Sequence, residues 1–313
     1  MPANLSPDYL AAEREFREAQ SQAEKIAALE NMLATIPKHK GTEKLQADIK
    51  RKLSQARKES AKKGAAHATP FYLVKKEGAG QVVLLGPPNS GKSQLVAALT
   101  HARPEVAEYP FTTRLPLPGM MNYEDVQIQL VDLPPVSEEF MEPWLPQVIR
   151  SATRGVIVLD VNDAAVLDEI EFLLTSLEKW RVPLPRLFAA NKIDLSGAAE
   201  NFEALQDLYG ARFRCLAVSA ATGQGLDHFT RAVFELLEIV RVYTKVPGKK
   251  ADVGAPYVLR RGETVLDAAR HVHKDFAEQL KFARLFHLSG ERDGLMVDRN
   301  HVVEDRDVLE FHI

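Results

Sequence analysis

Gly86-Pro87-Pro88-Asn89-Ser90-Gly91-Lys92-Ser93 fits the pattern G-x-x-x-x-G-K-[ST], and its flanks make a chance match unattractive. The apolar run Val82-Val83-Leu84-Leu85 precedes it, and the helix-patterned run Gln94-Leu95-Val96-Ala97-Ala98-Leu99 follows. A strand, a glycine loop and a helix in that order point backbone N–H groups at a ligand from a helix N-terminus, which suits phosphate. In this reading Gly86, Asn89, Ser90 and Gly91 form the cradle. Lys92 reaches the β and γ phosphates as the catalytic cation, and the Ser93 hydroxyl binds Mg²⁺.

Downstream, short apolar runs at 126–131, 156–161, 187–190 and 216–218 alternate with helix-length segments. That alternation predicts an α/β fold, a largely parallel sheet covered by helices. The phosphate loop alone does not choose a base, so the edge of the sheet has to. Asn191-Lys192-Ile193-Asp194 directly follows a strand, at the carboxyl edge where such sheets bind ligands. Asp194 there can accept from guanine N1–H and its exocyclic amine, donors that adenine does not present in that arrangement. Ser219-Ala220 follows the next strand, and the Ala220 N–H is placed for guanine O6. Asp132 ends a strand and suits Mg²⁺ held through water. Thr113, with Thr112 as fallback, lies in a proline-rich loop expected to run to Gly119 and is placed to complete the metal shell and act in catalysis.

Outside this centre the chain changes character. Ser6-Pro7-Asp8 starts a helix, and Ile26, Leu29, Leu33, Ile36 and then Leu45, Ile49, Leu53 recur at helical spacing, a helical hairpin. Residues 64–70 lack periodicity and read as a linker, and 246–256 as a second break. Three domains are expected: 1–66 helical, 71–244 phosphate-binding, and 252–313 with strand, helix and strand signals. Net charge is −3 overall, yet residues 1–66 carry +4 and the remainder −7. Ten basic residues between Lys38 and Lys63 form a basic arm suited to RNA. With 45% hydrophobic residues, wholesale disorder is excluded. No apolar run approaches the roughly 18 residues of a membrane span. No secretory leader is visible at the start, and the single Cys215 forms no internal disulfide, so a reducing cytoplasm is expected. Cys215 reads as a buried apolar residue.

These motifs resemble the Obg-like translation-factor-class GTPases. Tyr109-Pro110-Phe111-Thr112-Thr113, with Pro88-Asn89 in the phosphate loop, resembles the DRG (developmentally regulated GTP-binding) branch. Residues 34–42 are similar to its helical region. Tyr257-Val258-Leu259-Arg260-Arg261-Gly262, His273-Lys274-Asp275-Phe276-Ala277 and residues 301–310 look like a TGS domain, a ubiquitin-like β-grasp. The resemblance implies a Ras-like G domain, GTP and GDP as ligands, Mg²⁺, hydrolysis of GTP, and a ribosome or RNA partner met through the basic arm and TGS. It also implies that Asn89 helps hold potassium beside the phosphates.

Two departures stand out. Asp132 and Asn191 lie 59 positions apart, so the insertion that longer relatives carry in the G domain is absent. The family's Asp-x-x-Gly is here Asp132-Leu133-Pro134-Pro135. Pro135 has no N–H for a γ-phosphate, and Val136 cannot orient a water as a glutamine would. Slow hydrolysis follows. The competing expectation is a nucleotide-binding adaptor with little hydrolysis that works through TGS. An ATP-dependent kinase is disfavoured by Asn191-Lys192-Ile193-Asp194.

Overall fold

The computed structural model describes residues 7–19, 22–37, 42–67, 70, 72–100, 115–139, 141–182, 187–289 and 294–313. The chain divides between Phe71 and Tyr72 into two compact units. The first holds α1 (Pro7–Glu18), α2 (Gln22–Thr35) and α3 (Glu43–His67). Leu29, Ile36, Ile49 and Leu53 join Tyr9, Ala12 and Met32 in its core, with Ile26, Leu33 and Leu45 packed at the margin. The helical spacing therefore marks the faces that pack. α3 overruns its expected end: it continues through Gly64-Ala65-Ala66 to His67, where a linker was expected. Alanine is the strongest helix former, and a single glycine costs only about 1 kcal/mol against it. On α3 the exposed Arg51 and Lys52 both pair with Asp48, at 2.7 and 3.2 Å.

The second unit contains two sheets. The first runs in the order β2-β3-β1-β4-β5-β6, from β1 (Gln81–Leu85), β2 (Leu117–Tyr123), β3 (Val126–Asp132), β4 (Arg154–Asp160), β5 (Leu187–Asn191) and β6 (Arg214–Ala217). All but β2 are parallel. β1 is apolar from Val82 to Leu85 because it is buried on both faces. Val83 and Leu85 meet α5 (Leu145–Ser151), α6 (Val166–Lys179) and α7 (Ala198–Tyr209) in one core. Val82 and Leu84 meet α4 (Lys92–Leu99) and α8 (Leu226–Leu236) in the other. The proline-rich loop was expected to reach Gly119, but β2 begins at Leu117 and includes Pro118. The strand tolerates that proline because it lies at the sheet edge.

The second sheet has the order β10-β9-β11-β7-β8: β7 (Ile239–Thr244), β8 (Asp252–Arg260), β9 (Phe282–His287), β10 (Leu295–Val297) and β11 (Asp307–His312). β11 runs parallel to β7, and the other pairs are antiparallel. α9 (Val265–Val272) packs Val265, Ala268 and Ala269 into its core, and α10 (Lys274–Gln279) follows. A Thr264–Asp267 capping box starts α9. The expected boundary at 244 is corrected here. β7 was assigned to the phosphate-binding domain, but its backbone pairs with β8 and β11, so it belongs to the second sheet. Its short apolar alternation fits either sheet, and only the pairing distinguishes them.

Arg241 on β7 joins the two sheets and is only 2% exposed. Its guanidinium donates to Asp305 at 2.7 and 3.1 Å, to Asp125 at 2.7 Å and to Glu124 at 2.5 Å. It also lies 4.9 Å from the Phe234 ring. Glu124 and Asp125 form the turn between β2 and β3, and Arg306 also reaches Glu124 at 2.6 Å. Burial alone would lower the Arg241 pKa, but the hydrogen bonds it donates to Asp305, Glu124 and Asp125 outweigh that and hold the group charged. Burial of Asp125 acts to raise its pKa, and the bonds from Tyr243 and Arg241 more than reverse that. Removing one partner of a buried ion cluster is far worse than never having built it. Arg241→Met should therefore lower unfolding stability by roughly 3 kcal/mol in urea titration at neutral pH. Because the folded carboxylate pKa values are depressed, the cluster's contribution is present above the ordinary carboxylate range near pH 4 and is lost as pH falls through the lowered values. The stability gap between the two proteins should shrink in acid, and a gap independent of pH would contradict this account.

Candidate functional site

The strand β1 delivers the chain to Gly86, whose φ of +154° and surroundings admit only glycine: a Cβ there would lie 2.1 Å from the Val158 carbonyl. Ser90 Oγ donates to the Pro87 carbonyl at 3.0 Å. Lys92, 6% exposed, folds its ammonium over the loop, donating to the carbonyls of Gly86 (3.0 Å) and Pro87 (2.7 Å) and to Ser90 Oγ (3.3 Å). Gly91 takes φ +87° as α4 begins. Asn89, at φ +60°, is exposed at the loop tip.

One side chain ties this loop to the edge expected to read the base. Asn191, 1% exposed at the end of β5, donates Nδ2 to the Ser90 carbonyl at 3.0 Å and accepts the Ala220 N–H on Oδ1 at 3.0 Å. A Cβ on Gly91 would stand 2.2 Å from that Nδ2, so the glycine makes room for the asparagine. Ser219 is fully buried, and its Oγ accepts from the Thr222 N–H at 3.1 Å. Asp194 is exposed in the turn after β5. The Ile193 N–H of that turn bonds the Val218 carbonyl at 3.2 Å. The Ala220 N–H, expected to meet guanine O6, donates to Asn191 Oδ1 here, so donation to the base would share or release that bond.

Ser93 Oγ donates to Asp132 Oδ2 at 2.5 Å, so the hydroxyl and carboxylate expected to serve Mg²⁺ are adjacent. Thr112 and Thr113 lie outside the described residues. Beyond Asp132 the chain closes onto the phosphate loop, with the Val136 N–H donating to the Gly86 carbonyl at 3.1 Å. Pro134 and Pro135 are buried, and the Val136 side chain, 3% exposed, sits in the core with Leu133 and Leu145.

The sequence reading missed two residues at this edge. Asp160, ending β4, pairs with Lys192 Nζ at 2.6 Å, and Asn162 Nδ2 donates to the Lys192 carbonyl at 3.1 Å. The available signal was that Asp160 ends its apolar strand just as Asp132 ends β3. Cys215 is half-buried, and burial pushes its thiol up, away from reactivity.

Residues 81–192 match the family described as 50S ribosome-binding GTPase, and residues 240–313 match the TGS domain. A developmentally-regulated GTP-binding protein 1 homolog from Dictyostelium discoideum is 25% identical over 93% of this chain and 99% of its own. The chain carries a GTPase domain followed by a TGS domain and is similar to GTP-binding proteins of the DRG type. It is also similar to the ribosome-interacting GTPase 1 of Saccharomyces cerevisiae, at 26% identity over 91% of this chain and 97% of that one. It is 29% identical to an uncharacterized GTP-binding protein of Halobacterium salinarum, over 91% of this chain and 97% of that one. That last alignment runs over 360 residues although this chain has 313, so the relative carries residues that the present protein lacks. The TGS match begins at 240, which agrees with the pairing of β7 into the second sheet. Among the described residues no helix is long and apolar enough to cross a membrane.

Proposed function

We propose that this DRG-type protein is a slow, Mg²⁺-dependent GTPase whose nucleotide state adjusts its association with ribosomes or RNA. The P-loop GTPase family supports GTP hydrolysis in general, and the Asn191 bridge between phosphate loop and base edge carries the reading for this chain. Asp194 reads guanine, because its carboxylate accepts from the N1–H and exocyclic amine of guanine, and adenine would leave that carboxylate without those donors. Lys92 leaves the loop carbonyls for the β and γ phosphates when they arrive. Ser93 and Asp132 offer the hard oxygen donors that Mg²⁺ favours, and Thr113 completes the set. The metal's part is to neutralise charge on the phosphates. Asn89 at the loop tip is the residue for potassium, which adds positive charge beside the phosphates.

The slow rate rests on the segment after Asp132. Pro135 offers no N–H, the Val136 N–H is committed to Gly86, and its side chain is buried away from any attacking water. The same observation favours a second reading, a nucleotide-binding adaptor with little hydrolysis that meets partners through TGS. The relative named as ribosome-interacting and the basic arm from Lys38 to Lys63 support an RNA contact.

Paired binding and single-turnover assays separate these readings. GTP should bind far more tightly than ATP, and Asp194→Asn should weaken GTP and favour xanthosine triphosphate; equal GTP and ATP affinity would end the guanine reading. Hydrolysis without a partner should be slow and faster in potassium than in sodium, and Pro135→Gly should widen the preference for GTP over GDP. Rapid unassisted turnover would sink the account of the switch, and no measurable turnover in either cation would favour the adaptor.

RNA affinity should fall steeply as salt rises, because each neutralised phosphate releases counterions. Reversing Lys50, Arg51 and Lys52 to Glu should abolish most of it. RNA association that survives the triple reversal would remove α3 as the contact.

A further inference from the structure

Lys192 is held from two sides by residues that no sequence motif marks. Its backbone sits at φ +64°, a left-handed conformation that a long side chain adopts only when its surroundings impose it. The Lys192 carbonyl accepts Asn162 Nδ2 at 3.1 Å, and its ammonium meets Asp160 Oδ2 at 2.6 Å. Asp160 is itself fixed. Its other oxygen accepts the Asn162 N–H at 3.0 Å, and its Cα stands in register with Asn191 where β4 and β5 end side by side. The Val161 N–H bonds the Asn191 carbonyl at 3.2 Å, closing the same corner. The pair is partly withdrawn from water, with side chains 31% exposed at Lys192 and 17% at Asp160. It is therefore less screened than a fully exposed ion pair, whose net contribution is small.

We propose that Asp160 is a positioning residue for the guanine nucleotide, acting through Lys192. The lysine lies one residue from the buried Asn191 bridge and two from the base-reading Asp194. Held by Asp160, its methylene stem presents a fixed apolar wall beside the purine. A free lysine chain would have to be ordered at the moment of binding and would lose rotamer freedom there. A chain already fixed by a carboxylate meets that cost during folding, which slows nucleotide loss. The interaction is made at the base end of the ligand, so it strengthens GDP and GTP alike and leaves the phosphate chemistry untouched. The proposal rests on the guanine-nucleotide reading above.

Asp160→Asn keeps the shape and the bond to the Asn162 N–H while removing the charge. Measured by displacement of a fluorescent GDP, dissociation constants for GDP and GTP should rise together about ten-fold. Affinity for inorganic tripolyphosphate, which uses the phosphate loop alone, should stay within two-fold, as should the single-turnover rate of GTP at saturation. A double-mutant cycle isolates the coupling: in a Lys192→Met background, Asp160→Asn should add less than a two-fold effect. Asn162→Ala, which frees the Lys192 carbonyl, should weaken both nucleotides in the same direction and serves if Asp160→Asn does not fold. The proposal is overturned if Asp160→Asn keeps its full effect beside Lys192→Met, if tripolyphosphate binding falls equally, or if nucleotide affinity does not change. Where the unmodified protein still prefers GTP over ATP, any of those results removes Asp160's role alone; a protein that does not prefer GTP loses the guanine reading and this proposal together.

Discussion

Two hydrogen bonds made by one buried amide hold the proposed nucleotide site together. Asn191 donates to the Ser90 carbonyl in the phosphate loop and accepts from the Ala220 N–H in the loop after β6. At 1% exposure it has no water to fall back on. Losing the side chain would leave a buried carbonyl and a buried N–H unpaired, each at a cost of about 1–3 kcal/mol. Other features follow from this bridge. Gly91 must lack a side chain to admit it. β5 must end at Asn191 beside β4, which brings Asp160 to Lys192. The turn carrying Asp194 is fixed by being the next stretch of chain.

Much of this was legible before any coordinates. A strand, a glycine loop and a helix have a local signature, and the double burial of Val82 to Leu85 in β1 shows as an unbroken apolar run. The adjacency of Ser93 and Asp132 follows once β1 and β3 are parallel neighbours, and it is observed at 2.5 Å. The faces of the N-terminal helices were equally readable, since Leu29, Ile36, Ile49 and Leu53 recur at the helical period and share a core.

The rest depended on contacts that sequence order does not encode. A domain boundary at 244 leaves residues 239–244 with the phosphate-binding domain, but as β7 they pair with β8 and β11. Asp160 and Lys192 are 32 positions apart and meet only because β4 and β5 lie side by side. The commitment of the Ala220 N–H to Asn191 and of the Val136 N–H to Gly86 depends on loop conformation, where local pattern has least force. Arg241 reads as one arginine in a strand. Its burial is explained only by four carboxylate contacts reaching it from the β2–β3 turn and from Asp305.

The first sheet thus carries the proposed nucleotide site at its carboxyl edge, and the second is fastened through Arg241 to the β2–β3 turn. The central claim is that the phosphate and base halves of the site work as one unit because Asn191 joins them. Isothermal titration of Asn191→Ala with GDP tests it most directly. The account predicts an affinity loss of about 100-fold, equivalent to about 2.7 kcal/mol, in a protein that still unfolds cooperatively. GDP affinity unchanged from that of the unmodified protein would contradict it.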